Sequence, residues 1–513
     1  MQLLGHLERQ NSTLECINIS DNPGRIHLER FQVSMSRFSK IRRLDLSRIT
    51  RTLGDEPLIV PEVLLSWKLE ELIMNGVPVN DRTLDTISGY LMSDMSDSLR
   101  TLEMEQCNLS GSHVALLMRS MAREPGVARN LQLQVSANRL EKGVGEIVKA
   151  IEENHTPSHL IVRMIEFAKE DHFKQLLEAL RTNTTIRSLD ISKASLPYDA
   201  GPETCDALRL LFAENTTLEE LDISGEQAHL EVARFGIGLN QALTGLKNNK
   251  ALKVLRIEYQ NLGMEGANSL SSVLEENTTL THIHCEHNDI NLQGFTILVN
   301  SIAKNYSILE LPFFRDDQEL SMKRMNANMK QYRLSSVNSS SDHVKSSVRR
   351  TLNAFGVAKP QRPELTPQDF DAVARVLSEK WEIEIHRLAM FLDRNKGIAA
   401  GMGGSVLGHD GLLSPEAMRP TTAMSDRGIL EQALSNATPK LELGSPLDGA
   451  VDGLAGLGIN TAAIESANGD SSPKTAETTP KKIVRGERPL LELPSIAREK
   501  SFSMEGAFFA LES

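Results

Sequence analysis

The densest set of metal-capable side chains in the sequence is His282-Ile283-His284-Cys285-Glu286-His287. Zinc asks for four ligands converging at about 2.0–2.3 Å. On an extended strand His282 and His284 share one face, and Cys285 points to the other. The set therefore does not converge, and no metal site is expected. The four cysteines, Cys16, Cys107, Cys205 and Cys285, lie far apart with no C-x-x-C pair, so neither a zinc ribbon nor a disulfide framework is indicated. No phosphate loop, nucleophile elbow, H-E-x-x-H or dinucleotide fingerprint is present. Catalytic residues and cofactors are not expected, and binding chemistry remains.

The His-rich stretch is one copy of a repeat, and the repeat must position every candidate residue. The pattern apolar-x-x-apolar-x-apolar starts at Leu14, Ile41, Leu69, Leu99, Ile186, Leu218, Leu252, Leu280 and Ile308. Two degenerate copies fall at Leu131 and Leu160, giving a mean spacing of 29.4 residues over the ten intervals from Leu14 to Ile308. L-x-x-L-x-L sets alternate side chains on one face of a short strand. Stretches such as FKQLLEAL from Phe173 and FTILVNSIAK from Phe295 carry the 3–4 spacing of a helix covering the strand. One strand and one helix in about 29 residues is the long class of leucine-rich repeat. The fold class is α/β: a solenoid of about eleven strand–helix repeats over 1–313. Asn154, Asn183, Asn215, Asn249, Asn277 and Asn305 end the helical halves, where asparagine tolerates a left-handed cap.

The positions between the apolar ones form the concave face. Its candidate partner-binding residues are Arg187, Asp190, Glu219, Glu220, Asp222, Lys253, Arg256, His282 and His284. Earlier copies add Arg42, Arg43, Glu70 and Glu71. A curved solenoid presents such residues as one long surface, so a protein partner is expected there.

The array resembles the ribonuclease-inhibitor class of leucine-rich repeats. That class includes the Ran GTPase-activating proteins, NOD-like receptor sensors, tropomodulins and CARMIL actin regulators. Its uneven intervals around Leu99 and Leu218 most resemble the CARMIL/tropomodulin group. That resemblance implies a non-catalytic scaffold with actin regulators as partners, in the cytoplasm at the cell cortex. The Leu-x-His-x-Thr start of the CARMIL tail motif is missing here. GTPase activation of the Ran type, or the sensor part of a longer receptor-like protein, stays open as an alternative.

Beyond the array, residues 314–333 read as a capping helix and 334–364 as a Ser-rich linker. Residues 365–395 carry a helix start at Thr366-Pro367 and a broad apolar stripe including Trp381, Leu388 and Leu392. That stripe packs on the array, forms a homodimeric coiled coil, or receives another protein. From 396 to 513 composition indicates disorder, with Ser/Thr-Pro sites and a short interaction motif at 482–513. The start, MQLLGHLERQ, reads as half a repeat, so an uncapped edge or a missing upstream part is expected. The net charge of −12 argues against a nucleic-acid binder. No run is long and apolar enough for a membrane helix.

Overall fold

The computed structural model describes residues 13–22, 26–49, 56–124, 126–227, 235, 237–340 and 367–401, all within one compact unit. The uncapped edge, the Ser/Thr-Pro sites of the tail and the motif at 482–513 lie outside the described residues.

Ten strands form one parallel sheet in chain order: β1 Cys16–Asn18, β2 Arg43–Asp45, β3 Glu71–Ile73, β4 Thr101–Glu103, β5 Arg129–Gln134, β6 Pro157–Ile161, β7 Ser188–Asp190, β8 Glu220–Asp222, β9 Val254–Arg256 and β10 His282–His284. A parallel bridge from His282 to Glu310 begins an eleventh rung. Between them lie α1 Leu28–Met35, α2 Pro61–Leu64, α3 Asp81–Met92, α4 Gly111–Met121, α5 Val144–Glu152, α6 Glu170–Thr182, α7 Pro202–Glu214, α8 Ile237–Ala242, α9 Gly263–Glu276 and α10 Leu292–Lys304. This is the strand–helix solenoid that the repeat spacing predicts.

Register explains the pattern. Ile17, Leu44, Leu72, Leu102, Leu133, Leu160, Leu189, Leu221, Leu255 and Ile283 stack in one buried column. Cys285 sits in the next apolar column and is fully buried, as its phase in the repeat requires. Parallel strands need a crossover connection, and each helix supplies one while covering the apolar columns. The core is continuous from Ile17 to Phe314.

The short strands leave backbone groups in the loops that no ladder satisfies, and in the later repeats buried amides take them over. Asn277 Nδ2 donates to Leu246 O at 2.7 Å and Asn249 O at 3.1 Å. Its Oδ1 accepts from Thr279 N and Leu280 N, each at 2.8 Å. Asn215, Asn249 and Asn305 repeat the arrangement, each donating to the carbonyl of the preceding asparagine. The expected left-handed cap is thus a correction: only Asn154 of the six has positive φ, at 57°. Asn183, Asn215, Asn249, Asn277 and Asn305 are extended and buried, because their amides bridge neighbouring repeats. The left-handed residue lies elsewhere, just after most of the strands. Asp21, Arg48, Gln106, Ala137, Met164, Lys193, Tyr259 and His287 hold it at φ 54–60°.

α11 (Arg315–Ser340) follows the array and runs into the segment read as linker. α12 (Pro367–Ala399) packs against α10. Trp381 stacks on Phe295 with centroids 5.7 Å apart, and Leu388 and Leu392 are buried in the array core. Trp381, Leu388 and Leu392 of the stripe are therefore spent on the array, while Ile383 and Met390 stay exposed. Asn395 Nδ2 donates to Asn305 O at 3.1 Å and Ile308 O at 2.7 Å, so a helix from outside the repeats adds the next rung. Arg394 covers the α10 carbonyls of Ile302 and Ala303 at 3.0 and 2.8 Å.

Asp317 closes the last loop. It is buried, and its carboxylate accepts from His287 N at 2.9 Å and Ile290 N at 3.2 Å. Burial pushes its carboxyl up to about 6, against the lowering effect of those N–H groups.

Two outcomes follow from these contacts. Asn277→Ala strips partners from four backbone groups and lowers unfolding free energy by about 2–4 kcal/mol in urea titration. The raised Asp317 pKa means that the folded state takes up a proton before the unfolded one. Its contribution therefore makes the protein more stable as pH falls from about 6 to about 4. The stability difference between wild type and Asp317→Asn should change across that window and flatten outside it.

Candidate functional site

The first and third residues of each strand flank the buried column and stay open on the sheet face. They are half-exposed along nearly the whole array, whereas the middle residue is closed. Their chemistry varies from rung to rung while the middle residue remains Leu or Ile, so the backbone constrains one column and leaves its neighbours free.

The nine sequence-predicted residues fall into three groups, with Glu220 standing apart. Arg187, Glu219 and Lys253 occupy the position just before β7, β8 and β9. Glu219 lies between the two cations, 3.8 Å from Arg187 Nη1 and 2.5 Å from Lys253 Nζ. The Lys253 hydrogen bond holds the Glu219 carboxyl below its usual range. Asp190, Asp222 and Arg256 are third-position residues of successive strands. Asp190 accepts from Ser192 N at 3.0 Å and meets Arg163 Nε at 2.6 Å. Asp222 accepts from Ser224 N at 2.9 Å, and burial raises its carboxyl pKa. These two carboxylates therefore secure the turn after their strand. Glu220, in the first position of β8, is more open and has only a 3.5 Å contact from Ser188 Oγ.

His282 and His284 share the face, as alternation requires. Both look onto Glu310, at 3.8 Å from His282 Nε2 and 4.0 Å from His284 Nδ1. His287 has turned away to stack on Tyr259, with centroids 4.4 Å apart, and reaches Asp316 at 3.3 Å. Cys285 lies in the core, where burial pushes its thiol well above the ordinary value. Among the described residues no group of three His, Cys, Asp or Glu side chains is placed to hold a metal ion.

Arg163 and Glu310 were missing from the sequence list. Arg163 lies one residue past the last apolar position of its degenerate copy, where the motif stops assigning faces. Glu310 belongs to a rung held by a single bridge. Ion pairs between adjacent rungs recur in the early repeats, with Arg42–Glu70 at 2.6 Å and Arg43–Glu71 at 3.0 Å. Such exposed pairs contribute about 0–1 kcal/mol each. Their charges can therefore be exchanged for a partner's at little cost.

No family model matches the chain. The sequence is 26% identical over 280 residues to the mouse NACHT, LRR and PYD domains-containing protein 4C, an alignment covering 48% of this chain and 28% of that protein. The fold is a leucine-rich-repeat solenoid. The chain spans under a third of the length of that curated relative. Among the described residues no helix is long and apolar enough to cross a membrane.

The division among the acids has a direct consequence. Asp190→Ala removes hydrogen bonds to a carboxylate and should cost about 1–3 kcal/mol in chemical denaturation. Glu220→Ala should stay within about 0.5 kcal/mol of wild type.

Proposed function

We propose that the chain is a non-catalytic protein-binding scaffold whose partner lies across the open sheet face, centred on Arg187, Glu219, Glu220, Lys253, Arg256, His282 and His284. One observation carries this reading. The sheet keeps a buried Leu/Ile column beside two open columns whose charge and size vary along the array. Varied, solvent-facing side chains on a rigid ladder suit recognition of a large, irregular surface. The acid-base alternation from Arg187 through Glu219 to Lys253 gives such a surface a sign pattern that opposes like-charged neighbours and favours complementary ones.

In its narrower form the proposal places the scaffold in the cytoplasm at the cell cortex, with actin regulators as partners. The likeness of the array to the CARMIL/tropomodulin group supports that form, together with the helix seated on the last repeat. A second reading takes the array as the sensing part of a longer protein. The likeness to the mouse NACHT, LRR and PYD domains-containing protein favours it.

Photo-crosslinking tests the proposal. A photoreactive residue is placed at Glu220 on the sheet face or at Glu178 on the exposed side of α6 in the full chain. The proposal requires saturable protein adducts from position 220 that position 178 does not give. Equal labelling from both positions contradicts it. Mass spectrometry of the adducts separates actin regulators, small GTPases and sensor partners.

A further inference from the structure

Two of the earlier loops are closed by an asparagine from the next repeat. Asn138 Oδ1 accepts from Cys107 N at 2.9 Å and Leu109 N at 3.0 Å, while its Nδ2 donates to Met104 O at 2.8 Å. Asn288 does the same to Gln260 N and Ile257 O, at 2.7 and 2.8 Å. At the last loop the part passes to an acid. Asp317, in the first turn of α11, takes His287 N and Ile290 N. An amide carries no charge and both accepts and donates. A carboxylate only accepts, and it must shed its water to enter the core. The loop is closed in the same manner, but with a titratable group.

The segment from Glu286 to Ile290 is the clasp between the array and α11. Glu286 Oε1 accepts from Arg315 N at 3.1 Å, and Asp289 pairs with Arg324. That ion pair is exposed on both sides, whereas Asp317 is 3% exposed. Arg315 carries the connection on to α12, donating to Glu382 Oε2 at 3.0 Å. α12 keeps its own seat on the array through Trp381, Leu388 and Leu392, so opening the clasp does not require opening the core.

The charges nearby are directed elsewhere. His287 favours the Asp317 carboxylate but is turned to Asp316, at 3.3 Å, and Arg324 is taken by Asp289. Glu258 and Glu286 gather further negative charge around Tyr259 and Cys285. Burial therefore outweighs the backbone N–H groups, and the Asp317 carboxyl is held at about 6.

We propose that Asp317 is a proton-operated latch, which clamps the last loop of the array to α11 when protonated and lets the clasp open locally when the proton leaves. The protonated acid still accepts through its carbonyl oxygen, and its hydroxyl supplies a donor such as Asn138 and Asn288 have in Nδ2. In the open clasp the carboxyl is solvated, with the ordinary aspartate value of about 3.9. The closed clasp thus binds the proton more tightly, and falling pH drives closure. The latch is independent of where a partner lies on the sheet face, so crosslinking from position 220 and the latch stand or fall separately.

The test is hydrogen exchange of the full chain, read by mass spectrometry between pH 7 and pH 5 and corrected for the intrinsic pH dependence of amide exchange. The opening constant of the loop that holds the His287 and Ile290 amides should fall about tenfold over that range. The Cys107 and Leu109 amides, held by an asparagine that cannot titrate, should change by less than about twofold. Asp317→Asn should hold the last loop at its low-pH opening constant at both pH values. His287→Gln should leave the tenfold change in place. An unchanged or rising opening constant in the wild type would overturn the proposal. So would an equal change at Cys107 and Leu109, since that is global unfolding rather than a latch. Survival of the change in Asp317→Asn, or its loss in His287→Gln, would assign the proton to another group and overturn it as well.

Discussion

The structure depends on how buried asparagine amides satisfy backbone groups that short strands cannot. A three-residue strand pairs few N–H and C=O groups, and each repeat must then turn through the interior. A buried backbone group without a partner costs about as much as a lost hydrogen bond. Asn183, Asn215, Asn249, Asn277 and Asn305 answer this by donating backward to the preceding repeat and accepting from their own loop. The same bonds fix the spacing between repeats. Because they do so from inside, the sheet face apart from its turn-securing aspartates is left free to vary.

That logic extends to the end of the array. A solenoid exposes its last core layer unless something covers it. α12 covers it with Trp381, Leu388 and Leu392, and Asn395 repeats the asparagine bonds to Asn305 O. A helix with no repeat motif thus meets the backbone as a repeat would.

Much of this was legible in the residues. The L-x-x-L-x-L phase places the strands, the buried column and the face of His282, His284 and Cys285, because strand alternation has a period of two and cannot drift. The asparagines were recognised as recurrent, but local propensity assigns them left-handed caps. Their extended backbone comes from partners about 30 residues away, which local rules cannot see. Asn395 carried no signal, since its role depends on where α12 docks. On the sheet face, sequence marked Asp190 and Glu220 alike as candidates. The turn N–H of Ser192 and the Arg163 guanidinium separate the tethered acid from the open one. Residues 365–395 show a related limit: an apolar stripe shows that a helix needs a partner and not which one, and Trp381, Leu388 and Leu392 meet the array.

Hydrogen exchange on the full chain tests the central claim most directly. Ile186, Leu218, Leu252, Leu280 and Ile308 lie outside the strands, yet their amides donate to buried asparagine oxygens. If side-chain amides hold the array together, these positions exchange as slowly as the middle residues Leu189, Leu221 and Leu255. Exchange at the rate of exposed loops would contradict it, and would return the ordering of the repeats to the hydrophobic columns alone.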